Sequence, residues 1–205
     1  MIAIIGCGGV GSIIAPVIAK MTKQNIILVD GDIYEQRNLE RQQFPASAIG
    51  KTKATVLANR LEQENPSLEV TAIESFYTEF TRLPDSVTAV FVCIDNNKGR
   101  KHIVGNASDA LYVFCANENE TGDAFVWRKG QDFPQHLLAE TEEEVESCQV
   151  RVQEVPQLAM ANMAAATAGL YLWYAHTHPD FENVPRLPTK HSLMWSNFIT
   201  EHKAV

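Results

Sequence analysis

The first dozen residues confine this chain to a narrow set of folds. An apolar run, Ile2-Ala3-Ile4-Ile5, leads directly into Gly6-Cys7-Gly8-Gly9-Val10-Gly11 and then into a segment with helical periodicity. A second apolar run, Ile26-Ile27-Leu28-Val29, ends on Asp30. Strand, glycine turn, helix, strand and acid in that order make a nucleotide-binding unit. The acid falls about 20 residues past the glycines, where it can hydrogen-bond a ribose hydroxyl. In this reading Gly6 permits the tight turn, Gly8 lets the backbone approach a phosphate and Gly11 lets the helix pack on the sheet. The helix N-terminus then offers free N–H groups and a positive dipole to an anion.

The rest of the chain extends the same alternation. Residues 12–23 carry an apolar stripe at Ile13, Ile14, Val17, Ile18 and Met21. Residues 51–64 read as a second helix, 68–73 as a strand, and 87–94 as a nearly continuous apolar strand covered on both faces. A helix over 97–108 and a buried strand over 111–115 follow, with a short helix expected between the third and fourth strands. Residues 124–127 suggest a strand of an antiparallel part. The stretch 128–149 is acidic, with Glu140, Glu142, Glu143, Glu144 and Glu146, and reads as a solvated loop or acidic helix face, or as a mobile loop over the active site. Residues 155–175 are apolar nearly all round, as for a buried or oligomer-interface helix, and 192–199 suggest an edge strand. The fold class expected is α/β: a Rossmann-like, doubly wound, mostly parallel sheet with a short antiparallel extension and a C-terminal helix.

Composition narrows the function. At 205 residues the chain suits a single domain, and 45% hydrophobic against 20% charged residues is ordinary for a globular protein. A formal charge of −8 argues against a nucleic-acid-binding surface. No apolar run reaches the ~18 residues of a membrane span, and the N-terminus lacks signal-peptide character, so the expectation is a cytoplasmic protein with no membrane association. Cys7, Cys93, Cys115 and Cys148 form no CxxC pair, which disfavours both a structural zinc site and a disulfide framework. His176 and His178 sit near a helix end, as for a dipole contact rather than a metal site.

The chemistry is carried by motifs downstream of Asp30. They are Asp30-Gly31-Asp32, then Asn38-Leu39-Glu40-Arg41-Gln42, Gly50-Lys51-Thr52-Lys53-Ala54, and finally Asp95-Asn96. Together with the glycine turn, this series resembles the ubiquitin-activating and ThiF/MoeB/HesA adenylyltransferase family, which carries these five motifs in this order. The resemblance covers residues 1 to about 96 and fades after about 130. It implies one adenylation domain over 1–205, with a nucleotide-binding core at about 1–127 and a loop, helix and strand over 128–205. The implied reaction is the ATP-dependent joining of the C-terminal carboxylate of a small ubiquitin-like or sulfur-carrier protein to AMP, with release of pyrophosphate. Gly6, Gly8, Gly9 and Gly11 match the nucleotide-binding turn, Asp30 the ribose acid and Asn38 a nucleotide contact. Arg41 and Lys53 match the phosphate-binding cations, and Asp95, beside Asn96, the acid that holds Mg2+.

Alternatives stand beside several of these assignments. Asp95 could cap the helix that begins at 97, and Arg41 and Lys53 could be ordinary surface cations. A dinucleotide-dependent oxidoreductase would account for the glycine turn and Asp30, and a catalytically inactive subunit could retain the fold. The family also implies a homodimer, with residues 155–175 contributing to its interface. Some members transfer the activated carboxylate to a cysteine, and Cys148 lies where those members place theirs, although nearby carboxylates should raise its pKa. The zinc-binding cysteine pairs of many members are missing, and the arginine that some members carry ahead of the first strand is expected to be absent or replaced. Arg37 could take over a phosphate role, while Cys7, Cys93 and Cys115 are expected to be packing residues.

Overall fold

The computed structural model describes residues 1–118, 121–138, 159–178, 190–194 and 199–203. β1 (Ile2–Ile5), β2 (Ile26–Val29) and β4 (Ala89–Val92) are each four residues long and buried throughout. With β3 (Val70–Ile73) and β5 (Leu111–Glu118) they form the parallel part of the sheet. α1 (Gly11–Met21), α2 (Lys53–Glu64) and α3 (Asn97–Gly105) connect them. β6 (Thr121–Trp127), β7 (Lys190–Met194) and β8 (Ile199–Lys203) add antiparallel pairings, and α4 (Ala159–Thr177) lies between β6 and β7 in sequence. The sheet order is β3-β2-β1-β4-β5-β6-β7-β8.

The pleat divides β1 between two cores. Ile2 and Ile4 face α1, α2 and α4, packing with Ile14, Ile18, Leu57, Leu61, Leu172 and Trp173. Ala3 and Ile5 face the opposite side, with Val90, Val92, Ile103, Trp127 and Phe133. Strands sandwiched in this way need apolar side chains on both faces, which is why they read as unbroken runs.

α4 approaches the sheet unusually closely because small residues line the contact. A Cβ on Gly122 of β6 would lie 2.2 Å from the Ala165 nitrogen, and one on Gly169 would lie 2.4 Å from Cys115 Sγ. The buried face of α4 includes Ala161, Ala164, Ala165, Ala166 and Ala168, while Met160, Met163 and Tyr171 are exposed.

Four expectations change. Residues 74–88 contain no helix. Asn106 Nδ2 instead shares its two N–H donors among the carbonyls of Thr78, Glu79 and Thr81 at 3.0–3.1 Å, which ties part of the crossover to the C-terminal end of α3. The edge strand expected over 192–199 is replaced by β7 and β8, which pair with each other as β7 pairs with β6. The beginning of the 128–149 stretch is not simply a solvated loop. Phe133 is buried and stacks edge-on against Phe114, Phe125 and Trp127. Gly11 answers to the turn rather than to helix–sheet packing, because its Cβ would stand 1.9 Å from the Gly6 carbonyl oxygen.

Candidate active site

The strand order reverses between β1 and β4, and at such a point an open α/β sheet leaves a crevice beyond its C-terminal strand ends. A cleft of about 680 Å³ occupies it, within the size range of small-molecule sites. Gly6, Gly8, Gly9, Asp30 and Asn38 line it, and so do Arg41, Lys53, Asp95 and Asn96. Residues expected from five separate motifs therefore meet in one place. Gly11 lies behind them as the first residue of α1, and Cys148 lies outside the described residues.

The glycine turn is held from below. Gly6 has φ +93°, and a Cβ there would meet the Cys93 carbonyl oxygen at 2.6 Å. α1 has no side-chain cap and no acid in its first turn, so no residue of its own first turn offsets its positive end. Asp30 is buried, and both of its oxygens are in use. Oδ2 accepts from the Cys7 N–H at 2.6 Å and Oδ1 from the Asp32 N–H at 2.8 Å. Burial raises its pKa; those two N–H groups and the nearby Lys53 pull the other way.

The cations differ from each other. Lys53 is buried, and its Nζ is 2.9 Å from Asp32 Oδ2, the second acid of the Asp30-Gly31-Asp32 motif. Its position follows from the Gly50 turn, where the Gly50 N–H donates to the Tyr34 carbonyl and the Lys53 N–H to the Asp32 carbonyl. Arg41 is half-buried, and among the described residues its guanidinium makes no hydrogen bond or ion pair. Arg37 also lines the cleft but is paired with Glu35. Asn38 is partly a structural residue, since its Oδ1 accepts from the Glu35 N–H at 3.0 Å in a capping box.

Asp95 does not cap α3. Asn96 does, its Oδ1 accepting from the Gly99 N–H at 2.7 Å. Asp95 is exposed at the cleft and has no hydrogen-bond or ion-pair partner among the described residues. Cys7 is fully buried, and burial first, then the Asp30 charge, holds its thiol well above the ordinary value. Cys93 is raised chiefly by its contact with the Cys115 thiol, and then by burial. Both fit the expected packing role, since a nucleophile needs the thiolate.

Among the cleft residues that motif reading did not reach are Asn117, at the end of β5, and Asn162, in the first turn of α4. The available signal was a single amide side chain in an alanine-rich helix.

The family model described as "ThiF family" matches residues 1–193. The chain belongs to the ThiF family. Among curated ThiF-like relatives, the tRNA threonylcarbamoyladenosine dehydratase of Bacillus subtilis (strain 168) is 38% identical over 39% of this chain and 32% of its own. The sulfur carrier protein ThiS adenylyltransferase of Escherichia coli (strain K12) is 34% identical over 50% of this chain and 42% of its own. The ubiquitin-like modifier-activating enzyme 5 of Oryza sativa subsp. japonica is 30% identical over 54% and 30%, respectively. The match to these curated relatives thus covers less than half of their length. The solved structure of E. coli MccB with ATP is similar in fold, with a TM-score of 0.75 at 20% identity over 99% of this chain and 62% of that one. MccB with AMPCPP and MccA gives a TM-score of 0.76. This ThiF-family member thus has the Rossmann-type architecture expected, and no helix among its described residues is long and apolar enough to cross a membrane.

Proposed function

We propose that the chain is an ATP- and Mg2+-dependent adenylyltransferase that activates the C-terminal carboxylate of a small ubiquitin-like or sulfur-carrier protein. One observation carries this reading: a guanidinium, Arg41, and a carboxylate, Asp95, both without a partner among the described residues, face the same cleft as buried Lys53 and the positive end of α1. A dinucleotide-dependent oxidoreductase would use the glycine turn and Asp30 but leave that charge set without a purpose. An inactive subunit would have no use for it either.

Asp30 accepts the ribose hydroxyls, keeping lone pairs beyond the two bonded to Cys7 and Asp32. Gly8 and Gly9 admit the phosphates close to the backbone, with Asn38 alongside. Lys53 and Arg41 hold the polyphosphate and neutralise charge that builds on the leaving group. Asp95 suits Mg2+ as a single free carboxylate. Among the described residues no group of three or more His, Cys, Asp or Glu could cage a metal, and magnesium commonly takes one or two carboxylates plus substrate phosphates. Bound there, the ion would supply Lewis-acid stabilisation of the phosphoryl oxygens. The carrier's carboxylate oxygen forms a bond to the α-phosphorus as the bond to the bridging oxygen breaks, and pyrophosphate departs with the electron pair.

The net charge of −8 favours a protein carrier over the RNA named for the dehydratase relative. Residues 1–205 work as one adenylation unit, as a homodimer in which the exposed Met160 and Met163 of α4 contribute to the interface. Subsequent transfer of the acyl group to Cys148 is part of the same proposal. The test is ATP–pyrophosphate exchange with candidate carrier proteins, followed by a search for a thiol-sensitive adduct that disappears in Cys148→Ala. Tight NAD(P) binding without ATP-dependent exchange would overturn the reading.

A further inference from the structure

Asn162 is an anomaly in its own helix. It is 1% exposed, its neighbours on the buried face of α4 are mostly alanine, and a buried amide is costly unless both ends are satisfied. Both ends are. Nδ2 donates to the Arg41 carbonyl at 3.0 Å, and Oδ1 accepts from Asn117 Nδ2. The same amide occupies the space a side chain would take at Gly9, where a Cβ would lie 2.5–2.6 Å from Asn162 Nδ2, Cγ and Oδ1. One side chain therefore touches the glycine turn, the loop bearing Arg41 and the end of β5, at the wall of the cleft.

We infer that Asn162 is a positioning residue: it clamps the Arg41 backbone to α4 and seats it beside the glycine turn, so that the guanidinium begins from a fixed point over the phosphate site. The chemistry of the contact explains why an amide is needed. Arg41 presents a carbonyl, which requires a donor; Asn117 presents an N–H, which requires an acceptor. Among short side chains only an amide supplies both from one planar group. The segment holding Arg41 has other local ties, including the Arg41 and Gln42 N–H groups donating to the Asn38 carbonyl and the Tyr34–Phe44 stack. Of the contacts Arg41 makes with its backbone, the bond from Asn162 comes from across the molecule. α4 thus contributes to the nucleotide site although it lies beyond the N-terminal motifs. That Arg41 meets a polyphosphate rests on the adenylation reading above; the clamp itself does not.

Asn162→Ala removes the donor and acceptor while suiting a helix. Asn162→Asp is a second variant of nearly equal volume that keeps an acceptor for Asn117 and loses the donor to Arg41. In whichever folds, judged by circular dichroism, hydrogen–deuterium exchange of the 38–43 amides should quicken by about tenfold as the loop loosens. ATP–pyrophosphate exchange turnover should fall by about 10–100-fold, the scale expected when a catalytic group is misplaced by an ångström. The Kd for ATP should stay within about threefold, since Lys53, Asp30 and the glycine turn remain. In an Arg41→Ala background, Asn162→Ala should cost little further turnover, because it acts through Arg41. A purely structural role would give additive losses. Unchanged amide exchange in a folded variant, or full additivity with Arg41→Ala, overturns the inference. Absence of pyrophosphate exchange in the unaltered protein would instead refute adenylation, leaving the amide-exchange comparison to decide the clamp.

Discussion

The Cys7 N–H and Asp30 Oδ2 are 2.6 Å apart, so the acid at the end of β2 is bonded to the glycine turn at the end of β1. Asp30 therefore holds the turn as well as lining the cleft. Its removal should be felt before any nucleotide is added. Asp30→Ala leaves the Cys7 and Asp32 N–H groups without their acceptor and should cost about 1–3 kcal/mol in urea unfolding. An unchanged unfolding midpoint would show the turn to be self-supporting.

Asp30 also sets a pH dependence. Burial raises its carboxyl above the ordinary aspartate value, so the folded protein holds this proton more tightly than the unfolded chain. That contribution to stability is complete below the ordinary value and is lost as pH rises through the raised one. Asp30→Asn abolishes the titration. The melting temperature of the variant relative to the unaltered protein should therefore rise as pH increases from the ordinary aspartate value through the raised one, as scanning calorimetry across a pH series would report.

Asp95 and Asn96 are adjacent but should separate cleanly on substitution. Asn96→Ala deletes the cap on α3 and should lower stability by about 1 kcal/mol. Asp95→Asn deletes a charge with no partner among the described residues, so its melting temperature should not fall. Its pyrophosphate exchange should drop at least about a hundredfold, in line with losing several kcal/mol of metal-held stabilisation. Normal exchange in Asp95→Asn would remove this carboxylate from the proposed metal site.

Gly9 tests the packing of α4 on the turn. An alanine Cβ would overlap the pinned amide of Asn162 and should destabilise by about 1–3 kcal/mol. Combining Gly9→Ala with Asn162→Ala should recover part of that loss, because the obstacle is gone. Chemical denaturation of the four proteins in this cycle would read the coupling, and simple additivity would contradict it.

The proposed homodimer predicts that light scattering at micromolar concentration gives twice the chain mass. Charged substitutions at exposed Met160 and Met163 should shift it towards monomer. A monomeric unaltered protein would discard the interface.

What the sequence by itself determined was local and periodic. Unbroken apolar runs marked β1, β2 and β4 because strands buried on both faces tolerate nothing else, and Gly6 marked a turn that places its φ at +93°. Asp30, Lys53 and Asp95 were legible because each lies next to a strand end or helix start that the pattern already located, whereas Arg41, in the turn between β2 and α2, was legible only through its motif. The tertiary structure decided what depends on contacts distant in sequence. Asn96 rather than Asp95 became the cap, since that choice is a matter of side-chain geometry. The crossover at 74–88 contains no helix and is tied instead by Asn106, which shares its two N–H donors among three carbonyls 25–28 residues away. Asn162 joined the site through bonds to residues 121 and 45 positions distant, and no local propensity could have announced that. A pattern reports which face of an element is apolar; which polar group meets which is settled only once the elements are packed.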